Sequence, residues 1–265
     1  MENGDIFIVS ILPRRFVMSF SDFLSRFQFH PELRGYSGIE REFFLAGPDG
    51  RLVPQSPRFL KTVDDVAWTY ELSACQVEHR TDPCRGLDDL REQLRAGTEL
   101  GQVTAECLGM RLLVSEVGPE DMTLDVYPDV RYLRIVETLP LSILRAACRV
   151  AGLHIHLGVS NMDEAIRVYN AGIEAVDRLI RLGDHSSGLR FDLYRQMATQ
   201  WMPNRYESPQ HFYTIACERG FADNPRNCWD LIRITRHGTV EFRMFGMTSS
   251  LDEILGWVAE IREFL

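Results

Sequence analysis

Four short segments of the sequence carry pairs of ionisable residues spaced two apart. These pairs are Glu40 and Glu42, Glu78 and Arg80, His154 and His156, and Glu241 and Arg243. Side chains two apart on a β-strand point to the same face of a sheet. The residues that alternate with them are mostly apolar, with Arg41 and His79 as exceptions. The four segments therefore predict one sheet with a polar face of Glu, His and Arg and an apolar face covered by helices.

A polar face of this composition has a characteristic chemistry. Carboxylates that share a partly buried surface repel one another unless cations or protons compensate them. Mg²⁺ and Mn²⁺ take oxygen ligands and leave positions for phosphate oxygens. Arginines on the same face suit phosphate or carboxylate, which they hold with two hydrogen bonds. The combination predicts a metal-dependent site that handles phosphate or carboxylate groups.

Each pair also has an ordinary structural explanation. Glu40 and Glu42 could lie on a solvated edge, and Glu241 and Arg243 could form a cross-strand charge pair. His154 and His156 could be core histidines whose ring nitrogens have partners. The occurrence of four such pairs in one chain favours the metal-dependent site over surface decoration.

The surrounding pattern predicts the elements that position these residues. Alternation and β-prone residues predict strands at 37–45, 68–80, 153–159 and 239–245. The GPDG sequence at 47–50 predicts a turn that closes a hairpin from Phe44 to Leu52. Gly158 predicts a place where a ligand or another backbone approaches closely.

Helices are predicted between these strands. Apolar periodicity marks 87–108, 162–182 after the capping residue Asn161, and a C-terminal helix after Ser250, whereas 128–150 is ambiguous. The order of strands and helices is compatible with either an α/β or an α+β fold.

Composition excludes several classes of protein. The 265 residues include 38 acidic and 29 basic side chains, a net charge of −9, which argues against partners such as nucleic acid or an anionic membrane. No apolar stretch is long enough to span a bilayer, and the N-terminal apolar run lacks the flanks of a signal peptide. The six cysteines contain no CxxC and are expected to be reduced. We expect a cytoplasmic protein with a single domain over residues 1–265.

The ordered set GIEREFF, YELSACQVEHRTDP, GLHIHLGV and GTVEFRMF resembles the glutamate–cysteine ligase type 2, or carboxylate–amine ligase, family from about Gly38 to the C-terminal helix. The resemblance implies an α+β, glutamine synthetase-like fold: a curved, mainly antiparallel β-sheet with helices packed on one face. It implies an ATP-dependent reaction in which a carboxylate, usually the γ-carboxylate of glutamate, is phosphorylated. An amine then displaces phosphate from the acyl phosphate to form an amide.

The resemblance also implies roles for individual residues. ATP with Mg²⁺, or Mn²⁺ in its place, would be held by metal ligands at Glu40, Glu42, Glu71, Glu78, His154 and Glu241. Glu71 lies seven residues before Glu78, so a bend must intervene if both serve one site. Glu78 and Arg243 are expected to be catalytic, and Arg243 and Arg80 to contact the nucleotide phosphates. The expected substrate contacts are Arg195, Arg190, Arg205 and His156.

Two segments are shorter than the resemblance leads us to expect: the one between the HxH and ExR strands, and the one after Arg243. A less enclosed site could serve a larger amine, depend on a partner chain or a second copy, or belong to a weakened relative.

The alternatives to the ligase function are a non-catalytic binder of a nucleotide or acidic metabolite, and a metal-dependent hydrolase that uses His154 and His156. The excess of carboxylates speaks against the hydrolase, because zinc prefers few, nitrogen-rich ligands.

Overall fold

The computed structural model describes residues 18–198 and 200–265. Within these residues an antiparallel sheet runs in the order β2-β3-β1-β5-β7-β6, and β4 pairs with β1 beyond the end of β5. The strands are β1 (Ser37–Ala46), β2 (Trp68–Tyr70), β3 (Gln76–Arg80), β4 (Arg111–Leu113), β5 (Leu153–Gly158), β6 (Ile232–Ile234) and β7 (Thr239–Phe245). The predicted strands 37–45, 153–159 and 239–245 are therefore confirmed to within a residue.

The predicted strand at 68–80 is two strands rather than one. Strand β2 folds back against β3, so that Tyr70 pairs with Val77 and Trp68 with His79. The intervening residues bind to neighbouring backbone, as in the hydrogen bond from the Ala74 N–H to the Asp125 carbonyl. The chain reverses here, and this reversal supplies the bend required between Glu71 and Glu78.

The described residues also form helices α1 (Phe20–Leu24), α2 (Ser56–Val63), α3 (Leu87–Cys107), α4 (Val130–Val136), α5 (Leu141–Arg149), α6 (Met162–Gly183), α7 (Leu189–Met197), α8 (Pro209–Glu218) and α9 (Leu251–Arg262). The three predicted helices are α3, α6 and α9, and the ambiguous segment contains α4 and α5. Asn161 and Ser250 cap α6 and α9 by accepting hydrogen bonds from the third N–H of each helix.

Helices α3, α6 and α9 cover the apolar face of the sheet, where Phe43, Ile155 and Phe242 are fully buried. The two polar exceptions are buried there as well. Arg41 donates hydrogen bonds to the Leu94 carbonyl at 2.8 Å and the Thr98 hydroxyl at 2.9 Å of α3, and lies 3.1 Å from Nδ1 of His79. These contacts satisfy polar groups that would otherwise be unpaired in a core.

Gly158 is a point of close backbone approach, as its position after the HxH strand predicts. A Cβ at this residue would fall 2.2 Å from the carbonyl oxygen of Leu33. The predicted turn at 47–50 is also present, with a bridge between Ala46 and Leu52. Both features hold the segments that flank β1 and β5 and so help to set the register of these two strands.

Among the described residues, no helix combines the length and the apolar character needed to cross a bilayer. The apolar N-terminal run lies outside the described residues. All six cysteines are free thiols, and Cys75, Cys84, Cys148 and Cys228 are buried. The predicted extent of the single domain, residues 1–265, stays a prediction.

Candidate functional site

The polar face of the sheet brings together two groups of metal-ligand atoms, one on each side of His154. The Glu241 donor group consists of Glu40, His156 and Glu241, and the Glu71 donor group consists of Glu42, Glu71 and Glu78. In each group one atom from every residue lies within 4.8 Å of the others. Strand pairing places them: Glu42 is opposite Glu78, Glu40 is opposite His154, and His156 is opposite Glu241.

Arginines surround the carboxylate at the centre of the Glu241 donor group. Arg243 donates to Oε1 of Glu241 at 2.8 Å, and Arg233 forms a two-point ion pair with the same carboxylate across β6 and β7. Burial alone would raise the pKa of Glu241, but Arg233 and Arg243 outweigh it and hold the pKa at about 2. Glu241 is therefore ionised at neutral pH although it is fully buried.

The two histidines have different surroundings. His154 lies with Nδ1 3.1 Å from Glu40 and Nε2 3.8 Å from Glu42, and burial together with Arg243 lowers its pKa to about 4. His156 places Nδ1 3.0 Å from the Thr239 hydroxyl and its buried Nε2 3.5 Å from Oε1 of Glu40. Burial opposes protonation of His156, but Glu40 and Glu241 outweigh it and raise its pKa. The structure therefore places His156 in the Glu241 donor group. His154, the metal ligand that the resemblance implies, lies between the two groups.

The Glu71 donor group has much less compensating charge. Glu42 accepts a hydrogen bond from the Gly152 N–H at 2.6 Å, yet burial and the neighbouring Glu71 raise its pKa to about 8. Burial also raises the pKa of Glu71, and burial and the neighbouring carboxylates hold that of Glu78 well above its usual range. Three carboxyls with raised pKa values, of which that of Glu78 is buried, must keep protons or bind a cation.

Two residues that the sequence pattern did not single out lie beside these groups. Arg233 occupies the polar position of Ile232–Ile234, and only the pairing of β6 with β7 shows that it faces Glu241. Tyr132 of α4 lies near the Glu71 donor group, since burial and the Glu71 carboxylate raise the pKa of its hydroxyl. No strand spacing or motif connects Tyr132 to these carboxylates, so its position depends on the tertiary fold.

The predicted arginines fall in different places. Arg243 is buried beside Glu241, and Arg80 is half-exposed with Nε 3.8 Å from Glu78. Arg190 is fully buried and donates to the carbonyls of Ala151, Arg243 and Met244. Its guanidinium therefore ties the ends of β5 and β7 together, in place of the expected contact with a substrate.

The other two predicted substrate arginines lie on the surface. Arg195 pairs with Asp192 and stacks over the Trp201 ring at 4.8 Å. Arg205 pairs at 2.8 Å with Glu174 of α6, a helix on the apolar side of the sheet. The structure does not bring either of them into the donor groups, because α6 separates Arg205 from the polar face and Arg195 is held by its own helix.

A mostly apolar cavity of about 210 Å³ opens at Glu40 and His156. It lies at the end of the polar face where β7 begins, beside Thr239. The remaining lining residues are Leu33, Tyr36, Gly38, Ile39, Arg80, Thr81, Pro83, Gly158 and His237. The polar face therefore has an apolar recess at one end and Arg243 toward the other.

Comparison with known proteins identifies relatives over most of the chain. A profile described as glutamate-cysteine ligase family 2 (GCS2) matches residues 36–179. A protein of Mycobacterium sp. (strain KMS) with the provisional name glutamate–cysteine ligase 2-2 is 33% identical over 243 residues, covering 85% of this chain and 66% of the relative. The provisional glutamate–cysteine ligase 2-3 of Mycolicibacterium smegmatis is 26% identical, with the same coverage. The chain spans about two thirds of the length of these curated relatives.

Solved structures show the same fold at low sequence identity. A bifunctional glutathione synthetase from Pasteurella multocida superposes with a TM-score of 0.59 and 14% identity, over 92% of this chain and 39% of that one. A glutamine synthase homologue superposes with a TM-score of 0.50 and 14% identity, over 86% and 54%. The predicted α+β, glutamine synthetase-like sheet with helices on one face is therefore confirmed.

Proposed function

The chain belongs to glutamate–cysteine ligase family 2, and we propose that it is an ATP-dependent carboxylate–amine ligase. In the proposed reaction the γ-carboxylate of glutamate takes the terminal phosphoryl group of ATP and releases ADP. An amine then attacks the acyl phosphate, loses a proton and displaces phosphate to form an amide. The observation that carries the proposal is the presence of two adjacent donor groups on one sheet face with Arg243 beside them. The relatives' names support an amino-acid substrate.

The side chains of the two donor groups fit Mg²⁺ or Mn²⁺. They offer five carboxylates and one imidazole, and oxygen-rich sets of this kind suit hard divalent cations. The raised pKa values of Glu42 and Glu78 indicate that positive charge completes the Glu71 donor group. When bound, the cations would offset the negative charge of the phosphate oxygens.

The chain's own residues contribute by positioning the substrates and ATP. Both nucleophiles, the carboxylate and the amine, belong to substrates, so the protein needs no nucleophile of its own. Arg243 is buried and is held in place by Glu241. Its Nε has no hydrogen-bond partner among the described residues and could donate to a phosphate oxygen. Arg80 stands at the half-exposed edge of the face, beside the cavity at Glu40. This apolar cavity is the place we propose for the nucleotide base.

The activity is tested by phosphate release with Mg²⁺, ATP and glutamate across a panel of amines, with mass spectrometry to identify new amides. We expect amine-dependent phosphate release that is lost, by at least about 100-fold, in Glu78→Gln and in Arg243→Ala. Arg95→Ala is the matched control, because Arg95 is an exposed arginine of α3 whose ion-pair partners among the described residues are Glu92 and Glu99.

Two results would contradict the proposal in different ways. Activity that survives both Glu78→Gln and Arg243→Ala would show that the reaction takes place elsewhere. Tight ATP binding without turnover for any amine would instead favour a nucleotide-binding protein that has kept the polar face without the reaction.

A further inference from the structure

Trp229 is a large apolar side chain that lies exposed beside the buried arginine of the site. Trp229 is 47% exposed, although the flanking Cys228 and Asp230 are buried. The Arg243 guanidinium lies over the indole at 5.8 Å from the ring centroid. A tryptophan gains more from burial than most residues, so a ligand that covers the indole beside Arg243 would gain affinity from this contact.

The backbone around Trp229 holds the indole in this position. The Tyr194 hydroxyl donates to the Trp229 carbonyl at 2.9 Å, and the buried Asp230 carboxylate pairs with Arg219. The Leu231 N–H binds the Trp201 carbonyl at 2.9 Å. These contacts fix the backbone of residues 229–231 and so hold the attachment point of the indole beside Arg243.

The nucleotide base does not account for this surface. The cavity proposed for the base lies at Thr239, the first residue of β7, whereas Trp229 contacts Arg243, four residues further along. Four residues of strand correspond to about 13 Å. Arg190 joins the Arg243 carbonyl to that of Ala151, and the adjacent Gly152 N–H donates to Glu42 at 2.6 Å, so Trp229 borders the Glu71 end of the polar face. In the proposed reaction this is the end left for the carboxylate and the amine.

We propose that Trp229 is a specificity-determining residue that stacks on the acceptor amine, and that the acceptor carries an aromatic or flat apolar group beside its amino group. The inference rests on the proposed ligase function and names the class of its second substrate. One face of the indole is next to Arg243, and the exposed surface remains for the acceptor. A small or purely charged amine would leave this apolar surface in water, whereas a planar group would cover it.

The test compares two acceptors with the same reacting group, phenylalaninamide and glycinamide. Their KM values are measured by phosphate release with Mg²⁺, ATP and glutamate. Their affinities are measured by calorimetry with Mg²⁺, glutamate and a non-hydrolysable ATP analogue. We expect a KM about tenfold lower for phenylalaninamide, a preference that disappears in Trp229→Ala and Trp229→Leu and persists in Trp229→Phe. In Trp229→Ala and Trp229→Leu the KM of phenylalaninamide should rise more than that of glycinamide, because glycinamide has no planar group to stack.

Val66→Ala is the control, because Val66 is 92% exposed and precedes β2 at the opposite edge of the sheet. It should keep the wild-type preference. A wild-type protein without preference, or a preference that survives in both Trp229→Ala and Trp229→Leu, overturns the inference. If no acceptor releases phosphate, the proposed ligase reaction fails and calorimetry decides the role of Trp229 separately. Tighter binding of phenylalaninamide than of glycinamide supports the role, and the absence of acceptor binding rejects it.

Discussion

Ionisable side chains are buried on both faces of the sheet, and their neighbours decide which charge state each one holds. On the polar face, Glu241 stays ionised beside two arginines, whereas Glu42 keeps a proton beside Glu71. On the apolar face, burial and the Arg41 charge lower the pKa of His79 to about 3. Identical residue types therefore differ in charge because their partners differ.

His79 should make the protein less stable in mild acid. The unfolded chain binds a proton at this residue below its ordinary pKa of 6.5, whereas the folded protein does not until about pH 3. The free energy of unfolding should therefore fall as pH decreases, by about 2 kcal/mol from this residue between pH 7 and 5. Urea unfolding at pH 7 and pH 5 measures this loss of unfolding free energy. The loss should be smaller in His79→Gln than in the wild-type protein by about 2 kcal/mol. Parallel losses in both proteins would contradict the prediction.

Arg190 should stabilise the ends of β5 and β7 through its three backbone contacts. Arg190→Met leaves the Ala151, Arg243 and Met244 carbonyls without this donor in a buried setting. We expect a loss of about 3 kcal/mol in the free energy of unfolding, measured by chemical denaturation. Arg205→Met removes an exposed arginine paired with Glu174 and should cost less than about 0.5 kcal/mol. Equal effects of the two changes would argue against the structural role of Arg190.

At the scale of elements, strand β1 links the two donor groups. Glu40 and Glu42 are two apart on this strand, which pairs with β5 on one side and β3 on the other. The reversal between β2 and β3 then brings Glu71 to Glu78. The position of every ligand therefore depends on the register of the strands around β1.

Gly158 should be intolerant of a side chain because it keeps β5 against the segment before β1. Gly158→Ala places a Cβ 2.2 Å from the Leu33 carbonyl oxygen, a backbone atom that cannot turn away. We expect a loss of about 2 kcal/mol in thermal or chemical unfolding. Gly256→Ala in α9 is the matched control. A Cβ there meets no atom of the described residues within 4 Å, and alanine should stabilise the helix by about 1 kcal/mol or less. A Gly158→Ala protein as stable as wild type would contradict this packing.

For the molecule as a whole, the Glu71 donor group should link stability to both pH and divalent metal. The folded protein holds a proton on Glu42 up to about pH 8, whereas the unfolded chain releases it near the ordinary value of 4.5. Without metal, the contribution of this group to the free energy of unfolding therefore falls as pH rises through this window. Metal replaces the protons and removes the penalty.

Mg²⁺ or Mn²⁺ should therefore stabilise the protein more at pH 8 than at pH 6. At a metal concentration about 100 times the dissociation constant, the expected gain is about 2.7 kcal/mol. Thermal unfolding with EDTA and with Mn²⁺ at both pH values measures the gain, and calorimetry in two buffers measures the protons released. Glu78→Gln should reduce both quantities. A melting temperature that metal does not change at either pH would count against the metal groups.

The sequence by itself determined the polar strands, the three long helices and the family, because alternation, helix periodicity and ordered motifs are local signals. The tertiary structure decided which atoms meet. It placed His156 with Glu40 and Glu241, brought Arg233 to Glu241, and gave the buried Arg190 to backbone carbonyls. Strand pairing, chain reversal and helix docking join residues far apart in the chain, and no spacing within one segment records these contacts. The backbone position of Trp229 beside Arg243 was decided in the same way, by hydrogen bonds from Tyr194 of α7 and from the segment at Trp201.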